Sequence, residues 1–546
     1  MTRPDRSRPP RPLRGGLQVC GTGSDVGKSA VVAGLCRLLA RRGVRVAPFK
    51  AQNMALNSWV TDEGTEIGHA QGIQARAAGV PAETAMNPIL LKPTGERTSQ
   101  VVVMGRPWAV LDAAAYHAAK PQLWPVVLRA LADLRARFDV VVCEGAGSPA
   151  EVNLLDHDLV NLAVAAAAGL PAIVVGDIER GGVFASLVGT VALLPERLRR
   201  TVRGFVINKF RGDPALLGPG IDELARRTGV PVLGILPYVA GLGFDVEDSL
   251  GLEVGALGAP GADLPCARGG YADDDRDRPH GRPSVLEVAV VRFPHISNFT
   301  DVDALRLEPQ VSLRFVDDPR ALGDPDLVVL PGTKTTVADL AWLRASGLAE
   351  ALASRVRRPE GPVVLGICGG YQMLGCSIRD GIESPVPEAK GLGWLPITTV
   401  FAPDKLTRRR TGVAGGPGAG ELAGVPVAGY EIRHGRPAPS GVRAGVGPWL
   451  VLEPGEAEGM ADPSAGVLGT SLHGLLENDE LRQRLLAFAA RRRGVPWVNR
   501  PEVRFDAARE ARLDRLADLV ASHLDVEAVL ALVASAEPVT VEAGPT

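Results

Sequence analysis

The hydrophobic positions of the chain fall into two long stretches in which short apolar runs alternate with segments of helical periodicity. Several of these runs end in glycine or in polar residues. Strands that alternate with helices favour a parallel sheet, in which the ligand-binding loops lie at the carboxyl ends of the strands. In the first stretch, from about Leu17 to Leu252, we predict strands at Gly16–Cys20, Val44–Pro48, Asp139–Cys143, Ala172–Val175, Gly204–Ile207 and Pro231–Leu236.

The second stretch shows the same alternation, so the predicted fold class is α/β with two doubly wound parallel-sheet domains. The Gly-rich segment Thr411–Gly424 is predicted to be a surface loop. Near the end of the chain, Asp506–Ala534 has the Leu, Ala and Arg spacing of helices. The predicted strands of this stretch are Leu286–Arg292, Asp326–Leu330, Pro362–Ile367 and Val467–Thr470.

Changes in composition predict the domain boundaries. Residues 1–15 are rich in Arg and Pro, and we expect them to form a disordered tail. Residues 255–284 are rich in Gly, Pro and charge, which is typical of a linker between domains. The rest divides into a first domain at residues 16–254, a second domain at 285–500, and a C-terminal helical segment with a polar tail at 501–546.

The charge balance and the cysteine usage narrow the class of protein. The 546 residues carry 60 basic and 62 acidic side chains, so there is no electrostatic reason to expect a nucleic acid or an anionic membrane as partner. No apolar run approaches the length of a membrane span, and the N-terminus lacks the apolar stretch of a secretory signal. The six cysteines are scattered without a CxxC pair, which argues against a zinc site and a disulfide framework and favours the reducing cytoplasm.

A candidate phosphate-binding loop follows the first predicted strand, in the sequence LQVCGTGSDVGKSAVVAGL. Its backbone N–H groups and the N-terminus of the following helix would face phosphate oxygens. Lys28 is predicted to reach the β- and γ-phosphates of a nucleotide, and the Ser29 hydroxyl to bind Mg²⁺. The pattern departs from the ordinary P-loop, because Thr22 stands where glycine is expected and Gly21 lies one residue too far upstream. The alternative is a Gly-rich turn that binds no ligand.

A candidate nucleophile lies in the second domain, in the sequence VVLGICGGYQMLG. Cys368 follows an apolar strand and has small residues on both sides, which permits a strained turn between strand and helix. Such a turn presents the side chain and directs backbone N–H groups at a developing oxyanion. His473, at the end of another predicted strand, is the predicted base that activates the thiol. The alternative is that Cys368 is a small core residue and that His473 caps a loop.

The first domain resembles the dethiobiotin synthetase-like ATPases, which use ATP to phosphorylate a carboxylate. The resemblance implies that Glu144, at the end of the strand in VVVCEGAGS, binds Mg²⁺, and that Asn208 in VINKFRGD recognises adenine. An ordinary capping or turn role remains open for both residues. The residues that carry the resemblance are Gly21, Thr22, Gly27, Lys28 and Ser29.

The second domain resembles the class I glutamine amidotransferases, in which a Cys–His pair hydrolyses glutamine through a thioester and releases ammonia. In this resemblance LPGTK is the oxyanion loop: the Gly332 region donates a backbone N–H alongside that of Gly369, and Gln372 helps to bind glutamine. Most members have Glu two residues after the His, where it orients the imidazole. Here Leu475 holds that position, so we expect either a low glutaminase efficiency or another acceptor for His473.

Further segments resemble the cobyric acid synthase family in order through almost the whole chain, and the cobyrinate and cobyrate amide synthases also have the Cys–His pair without the Glu. Among the segments are APFKAQNMALNS, EIGHAQGIQARAAG, HISNFTDVDAL and GYEIRHGR. The resemblance implies four rounds of amidation, at the b, d, e and g carboxylates of adenosylcobyrinic acid a,c-diamide, through acyl phosphates. The implied ligands are ATP, Mg²⁺, L-glutamine and the corrinoid, which is a substrate, and a homo-oligomer is compatible with them.

Polar residues near strand ends of the first domain are candidates to contact the corrinoid or the phosphates, because such residues line the ligand crevice of parallel α/β folds. Lys50 and Asp177 are favoured, since they come directly after predicted strands. A turn or capping role is the alternative for each candidate. The candidates are Lys50, Gln52, Asn53, Asn57, Gln71, Asn87, Lys92, Asp177 and Arg180.

Two other functions fit part of the sequence. A cobyrinic acid a,c-diamide synthase-type enzyme would share both domains and the chemistry but would amidate other carboxylates, and the segment PFKAQNMALNS argues against it. A ParA/MinD-like regulatory ATPase would share the phosphate loop. The Cys368–His473 block and the absence of a basic or amphipathic tail argue against this ATPase.

Overall fold

Each half of the chain contains a large sheet with helices packed against it, and the computed structural model describes residues 13–95, 97–239, 255–256, 285–356 and 358–537. The helices of the first half are α1 (Lys28–Arg41), α2 (His69–Ala77), α3 (Ala113–Arg137), α4 (Leu162–Ala167), α5 (Val183–Leu193), α6 (Glu196–Arg199) and α7 (Gly218–Thr228). Its strands are β1 (Gly15–Gly21), β2 (Val46–Phe49), β3 (Gln52–Met54), β4 (Ser58–Val60), β5 (Glu66–Gly68), β6 (Ile89–Pro93), β7 (Thr98–Val103), β8 (Arg106–Asp112), β9 (Val140–Glu144), β10 (Ala172–Asp177), β11 (Val202–Phe210) and β12 (Val232–Pro237).

The large sheet of the first half has six parallel strands in the order β12-β11-β10-β1-β9-β2. The residues of β2 and β9 and nearly all residues of β1 are buried. Helices cover both faces of such a sheet, so its strands are continuous apolar runs. The carboxyl ends of β1, β2 and β9 lie at one edge, where Gly21, Phe49 and Glu144 end their strands.

Two small sheets between β2 and α3 were not predicted. One has the order β3-β6-β7-β8, and the other is the antiparallel hairpin of β4 and β5. Both β4 and β5 contain only three residues, and they include the buried polar side chains Ser58 and Glu66. Such short segments carry too few apolar positions to show a strand period.

The strands of the second half are β13 (Gly255–Ala256), β14 (Leu286–Val291), β15 (Val311–Val316), β16 (Leu327–Leu330), β17 (Val363–Ile367), β18 (Ser377–Arg379), β19 (Glu388–Lys390), β20 (Ile397–Ala414), β21 (Pro426–Pro439), β22 (Leu450–Leu452), β23 (Glu456–Glu458), β24 (Met460–Asp462) and β25 (Val467–Thr470). Its helices are α8 (Thr336–Ala345), α9 (Leu348–Val356), α10 (Gly369–Leu374), α11 (Asp479–Arg493), α12 (Phe505–His523) and α13 (Val526–Ala534).

The large sheet of the second half has the order β13-β15-β14-β16-β17-β25-β24. Its five central strands are parallel, and the two outermost strands pair antiparallel. A further sheet, β19-β18-β20-β22-β23, carries β21 paired along β20. The α/β class and the two parallel-dominated sheets are therefore confirmed, and the ten predicted strands occur with bounds shifted by at most three residues.

One prediction about this half is wrong. Thr411–Gly424 is not a single surface loop, because Thr411–Ala414 form the end of the 18-residue strand β20. That end pairs with β21 on one side and with β22 on the other. Gly412 lies in this end of β20, where a Cβ atom would come within 2.3 Å of the Val451 carbonyl oxygen. Close approach of two backbones therefore explains this glycine, which the sequence suggested was a loop residue.

The C-terminal helices return to the first half and pack on the helix of the phosphate loop. Gly34 of α1 lies against α12, where a Cβ atom would come 2.7 Å from Val520 Cγ2. Arg37 pairs with Asp514 at 2.8 Å and Arg41 with Asp518 at 2.7 Å. Residues 1–12 of the predicted tail (1–15) and the chain end from residue 538 lie outside the described residues. Of the predicted linker at 255–284, Gly255–Ala256 form β13 and residues 257–284 lie outside the described residues.

The two halves meet through polar contacts of the β4–β5 hairpin. The Ser58 N–H donates to Oδ1 of Asn298 at 2.9 Å, and Oδ1 of Asn57 accepts from the Phe299 N–H at 3.2 Å. Glu66 pairs with Lys405 of β20. Within the described ranges, none of the helices is both long and apolar enough to cross a bilayer.

A fully buried arginine holds the segment after Asn298 against α11. Arg482 donates from Nε to Glu308 at 2.7 Å, and Glu308 directly follows the 3-10 helix Phe299–Leu307. We expect Arg482→Met to lower the free energy of unfolding by about 3–5 kcal/mol, because it leaves the Glu308 carboxylate buried without its cation. Urea unfolding followed by tryptophan fluorescence measures this change.

The matched control is Arg484→Met in the same helix. Arg484 pairs with Glu480 on the surface at 2.6 Å, so we expect a loss of about 1 kcal/mol or less. Equal losses in the two variants would show that the buried pair stabilises the protein no more than a surface pair.

Candidate active sites

Two glycines shape the loop between β1 and α1. Gly27 has φ of 98°, and a Cβ atom there would lie 2.1 Å from Nδ2 of Asn208. Gly21 ends β1, and a Cβ atom there would lie 2.5 Å from Val26 Cγ2. Thr22 follows the strand, and its N–H donates to the Val175 carbonyl at 2.9 Å. Thr22 therefore extends the hydrogen bonding between β1 and β10, so threonine fits where glycine is usual.

The Lys28 side chain lies across this loop. Its Nζ donates to the Gly23 carbonyl at 2.7 Å and to the Gly147 carbonyl at 3.3 Å. The side chain is buried, and it is held between the loop and the segment after β9. An ammonium group in this position places positive charge at the N-terminus of α1, where a helix already favours anions.

Glu144 lies at the centre of a buried polar cluster at the carboxyl end of β9. Its Oε1 accepts from Ser29 Oγ at 2.8 Å and from Lys50 Nζ at 2.9 Å. Its Oε2 accepts from Nε2 of Gln74. A buried carboxylate requires a paired cation and hydrogen-bond donors, and the cluster supplies both.

The predicted Mg²⁺ ligands Ser29 and Glu144 are brought together by this cluster. A hydroxyl and a carboxylate are hard oxygen ligands, which Mg²⁺ prefers, and such ions are usually held by one or two protein groups together with phosphate oxygens and water. The described residues contain no group of three or more His, Cys, Asp or Glu side chains arranged for a metal ion. The residues present therefore fit an ion bound together with a nucleotide rather than one caged by the protein alone.

A cavity of about 1000 Å³ opens beside this cluster. Both halves of the chain line it, since Pro294 and His295 of the second half share its lining with the phosphate loop of the first. The predicted site residues that line the cavity are Gly27, Lys28, Ser29, Lys50, Gln52, Asn53 and Asn208.

Two candidates lie elsewhere, Asp177, which was favoured, and Arg180. Asp177 ends β10 as predicted, but it accepts from Lys209 Nζ at 2.8 Å and from the Glu179 N–H at 2.8 Å. Arg180 is exposed on the following turn. Neither residue lines the cavity described above. Asn208 lines it but donates to the Val26 carbonyl at 2.8 Å, so in this structure its amide braces the phosphate loop.

Other polar candidates of the first half also differ from the prediction. Asn87 is buried, and its side-chain amide donates hydrogen bonds to the carbonyls of Lys50 and Ile89, which holds these two backbone segments together. Asn57 contacts the second half through the Phe299 N–H. Lys92 lines a second, smaller pocket that also contains Cys368. We therefore correct the assignment of Asn57 and Lys92, because the structure places them at the contact between the halves.

Cys368 sits in the strained turn that its neighbours predicted. It follows β17 and precedes α10 with φ of 50° and ψ of −104°, which is unusual for a residue with a side chain. Gly366 and Gly370 leave room for this turn, since a Cβ atom on Gly370 would lie 1.9 Å from the Leu330 carbonyl oxygen. Strain of this kind occurs at reactive positions and presents the sulfur toward its partner.

A carboxylate that the sequence did not point to orients His473. Asp301 accepts at Oδ2 from Nδ1 of His473 at 2.7 Å, and at Oδ1 from the Gly474 N–H at 2.7 Å. Both side chains are almost fully buried. With its proton on Nδ1, the ring presents Nε2 toward Cys368. Burial lowers the pKa of His473, but the Asp301 carboxylate and the Cys368 side chain outweigh burial and raise this pKa to about 10.

The acceptor expected in place of the usual Glu is therefore Asp301. Leu475 is fully buried in the core. Glu477 lies close in sequence but pairs with Arg509 at 3.0 Å. The signal in the sequence was the apolar Leu475 itself, which predicted that some other acceptor was needed without indicating which one.

Two further residues that the sequence did not single out touch the imidazole. Nδ2 of Asn298 lies 3.4 Å from Nε2 of His473. The ring of Tyr430 stacks on His473, with 5.3 Å between centroids and 20° between planes. Asn298 and Asp301 both belong to the segment HISNFTDVDAL, whose polar residues before and within a short helical segment were the available signal.

A pocket of about 40 Å³ lies next to Cys368, and of the predicted oxyanion and glutamine residues Gln372 lines it. A Cβ atom on Gly332 would lie 2.9 Å from Cε1 of His473, and one on Gly369 would lie 2.6 Å from Thr333 Cγ2. Gln372 is buried, and its Oε1 accepts from Thr336 Oγ1 at 3.3 Å. A side chain at Gly332 would therefore clash with the catalytic base, and one at Gly369 would clash with the loop that contains Thr333.

Comparisons with known proteins agree with this arrangement. Residues 17–250 match the family model of the CobQ/CobB/MinD/ParA nucleotide binding domain, and residues 287–481 match that of the CobB/CobQ-like glutamine amidotransferase domain. The chain is 53% identical to the cobyric acid synthase of Frankia casuarinae, with 96% of this chain and 98% of that protein covered. It is 50% identical to the cobyric acid synthase of Rhodococcus jostii, with 96% of each covered.

The bond between Asp301 and His473 leads to a test. Asp301→Asn keeps the size of the side chain but can present an NH₂ group to Nδ1, which favours the wrong tautomer of the imidazole. We expect kcat for glutamine hydrolysis to fall by about 10³- to 10⁴-fold, by analogy with other catalytic triads. Glutamate release at saturating glutamine measures this rate.

Glu477→Gln is the matched control, since it removes a carboxylate near His473 that pairs with Arg509 instead. We expect it to change the same rate by less than about threefold. Equal losses in the two variants would contradict the assignment of Asp301.

Proposed function

The chain belongs to the cobyric acid synthase family, and we propose that it converts adenosylcobyrinic acid a,c-diamide to adenosylcobyric acid by amidating the b, d, e and g carboxylates. ATP activates each carboxylate, and glutamine supplies each nitrogen. The observation that carries this proposal is the contact between the two halves, in which Asn57 and Ser58 of the ATP-binding half bond to Phe299 and to Asn298 beside His473.

The ATP-binding half activates the carboxylate, which by itself reacts poorly with nucleophiles. A carboxylate repels nucleophiles and has a poor leaving group, so one of its oxygens first bonds to the γ-phosphorus while the bond to the ADP oxygen breaks. Lys28 is positioned to hold the phosphate oxygens as charge shifts toward ADP. Gly27 leaves room for the loop to approach the phosphates, and we propose that Asn208 contacts the adenine or braces the loop beside it.

We propose that Mg²⁺ binds with ATP at Ser29 and Glu144. When bound, it supplies positive charge that offsets the charge on the phosphates. Lys50 and Gln74 hold the Glu144 carboxylate in place. Lys50 also lines the large cavity, so it is the predicted contact to the acyl phosphate, and Gln52 and Asn53 line the same cavity.

The amidotransferase half produces the ammonia. Nε2 of His473 takes the Cys368 proton, the sulfur bonds to the amide carbon of glutamine, and the proton passes to the departing ammonia. Water then cleaves the thioester and gives glutamate. We propose that backbone N–H groups of Gly332 and Gly369 hold the oxyanion and that Gln372 helps to bind glutamine.

Ammonia then attacks the acyl carbon, and phosphate leaves. We propose that it passes between the halves without release, because residues of the first half reach both sites: Gln74 donates to Glu144, and the Ser58 N–H donates to Asn298, which lies beside His473. Asn53 donates to Gln71 at 3.0 Å, and Nε2 of Gln71 and Oε1 of Gln74 have no hydrogen-bond partner within the described ranges. Buried polar atoms of this kind can bind a small polar molecule in transit.

The remaining partner assignments extend the proposal. The nucleotide-binding and amidotransferase domains require no nucleic acid and no membrane, and we propose a cytoplasmic enzyme for which a homo-oligomer is compatible. The a,c-diamide synthase-type reaction and a ParA/MinD-like switch are the competing functions. The near-complete match to cobyric acid synthases at 53% identity favours neither of them.

One experiment tests the reaction itself. The protein is incubated with cobyrinic acid a,c-diamide, ATP, Mg²⁺ and glutamine, and mass spectrometry counts the conversions of carboxylate to amide. We expect four conversions from the a,c-diamide and none at the a and c positions of cobyrinic acid. Conversion at those two positions would indicate the a,c-diamide synthase-type reaction, and ATP hydrolysis without any amide would indicate a regulatory ATPase.

Two variants separate the sites. We expect Cys368→Ala to lose glutamine-dependent synthesis but to keep synthesis from added ammonium, because only the source of nitrogen is removed. Lys28→Ala should lose synthesis from either source by about 10²-fold or more, since it removes phosphate stabilisation. Loss of both activities in Cys368→Ala would mean that Cys368 is structural.

Isotope labelling tests the transfer of ammonia. With amide-labelled glutamine and an excess of unlabelled ammonium, we expect the product to keep the label. The reason for this expectation is the proposed transfer between the halves without release, which would exclude ammonium from the solvent. Complete mixing of the two nitrogen sources would exclude such a path.

A further inference from the structure

A second His–Asp pair involves the same segment that carries Asp301. Nδ1 of His295 lies 2.8 Å from Oδ1 of Asp339, and the His295 N–H donates to Oδ2 of the same carboxylate at 3.2 Å. Asp339 belongs to α8 and its side chain is almost fully buried, whereas the His295 side chain is 30% exposed. The pair therefore resembles His473 and Asp301 in its contacts, but His295 lines the large cavity.

The carboxylate determines the tautomer of the His295 ring. An ionised carboxylate can only accept hydrogen bonds, so Nδ1 carries the proton and the lone pair of the neutral ring lies on Nε2. Within the described ranges, Nε2 of His295 has no hydrogen-bond partner. The hydrogen bond to Asp339 raises the pKa of His295 against the effect of burial. The buried carboxylate therefore makes Nε2 a stronger base and leaves it available to a ligand.

Histidine is the side chain whose ordinary pKa lies closest to neutral, which suits it to accept and return a proton within one reaction. Of the described residues that line the large cavity, two are histidines, His157 and His295. His157 is exposed, and its ring contacts that of His117 edge-on, with 5.4 Å between centroids. Lys28 and Lys50 also line the cavity, but an ammonium group has no lone pair that could accept a proton. His295 is therefore the cavity histidine whose ring a carboxylate orients.

One short segment connects His295 with the site of glutamine hydrolysis. His295 lines the large cavity, and three residues later Asn298 lines the pocket next to Cys368. The Lys334 N–H donates to the His295 carbonyl at 3.0 Å, and Lys334 lines the same pocket. His295 is thus held in the cavity by the half of the chain that produces ammonia.

We propose that His295 is the proton acceptor when ammonia attacks the acyl phosphate, and that Asp339 is its positioning residue. The inference rests on the amide synthase function, which supplies both the acyl phosphate and the ammonia. Nitrogen gains a positive charge as it bonds to carbon, and the adduct can expel ammonia again until one proton is removed. A base at this point therefore commits the adduct to the amide.

The His295 ring takes up one proton and returns it in each round. The nitrogen lone pair bonds to the acyl carbon, and the electron pair of the C=O bond moves to oxygen. Nε2 then removes one proton from nitrogen, the carbonyl re-forms, and the bond from carbon to the phosphate oxygen breaks. The imidazolium gives its proton to the departing phosphate. The products are the amide and hydrogen phosphate, and His295 is neutral again.

Synthesis from added ammonium isolates this step, because it does not need Cys368. His295→Asn places an NH₂ group near the position of Nδ1, so the bond to Asp339 is kept while Nε2 is removed. With the full-length protein, ATP, Mg²⁺ and cobyrinic acid a,c-diamide, we expect kcat for amide formation to fall by about 10²- to 10⁴-fold. KM for the corrinoid should change by less than about threefold, because Nε2 acts after binding. Mass spectrometry of the first conversion measures both quantities.

Hydroxylamine in place of ammonium separates proton transfer from a structural role. Its adduct carries a far more acidic N–H, which water can deprotonate, so its reaction with the same acyl phosphate does not need a base from the protein. We expect His295→Asn to form the hydroxamate at a rate within about threefold of the wild-type rate. A distorted acyl phosphate site would slow both nucleophiles alike.

His157→Asn is the matched control, since it removes the other imidazole that lines the cavity. We expect it to change the rates with both nucleophiles by less than about threefold.

Three results would overturn the role of His295: an unchanged rate with ammonium in His295→Asn, an equal loss with ammonium and hydroxylamine, or an equally selective loss in His157→Asn. A wild-type protein that formed neither amide nor hydroxamate would contradict the amide synthase function itself, and the role of His295 with it.

Discussion

Both reaction sites lie at the carboxyl edges of parallel sheets, and in this chain the two edges face each other. Ser29 follows β1 after the phosphate loop, Glu144 is the last residue of β9, and Cys368 directly follows β17. Parallel strands bring their loops together at one edge, so each half has only one place for its chemistry. Because the large cavity is lined from both halves, it lies at the contact between them.

The contact between the two halves also buries charged side chains, and some of these form ion pairs across the contact. Glu66 of the first half pairs with Lys92 of the same half and with Lys405 of the second. Burial alone would raise the pKa of Glu66, but the two lysines outweigh burial and lower it. Burial lowers the pKa of Lys405 to about 8, although Glu66 opposes this shift. Separating the halves would take Lys405 away from Glu66 and leave Glu66 with Lys92 alone, so the charges favour one relative position.

The same position places a carboxylate and an amide on either side of the catalytic base. Asp301 holds Nδ1 of His473, and Asn298 faces Nε2 while it binds Ser58. The first contact orients the base, and the second joins the base to the other half of the chain through Asn298. A Glu two residues after the His, as in most class I amidotransferases, would orient the ring from within the same loop. Here the orienting group comes from a segment that also touches the ATP-binding half, which gives the two reactions a physical connection.

The sequence by itself determined the two parallel sheets, the phosphate loop with Lys28 and Ser29, and the pair of Cys368 and His473. Each of these depends on a local pattern: an apolar run, a glycine at a strained turn, or a reactive residue at a strand end. Only the tertiary structure decided that Asp301 orients His473, because the two residues are 172 positions apart and no local spacing encodes their contact. It also moved Asn57 and Lys92 from the expected corrinoid site to the contact between the halves. A local pattern indicates at which edge of a sheet a side chain lies, but the packing of the two halves determines which side chains meet across it.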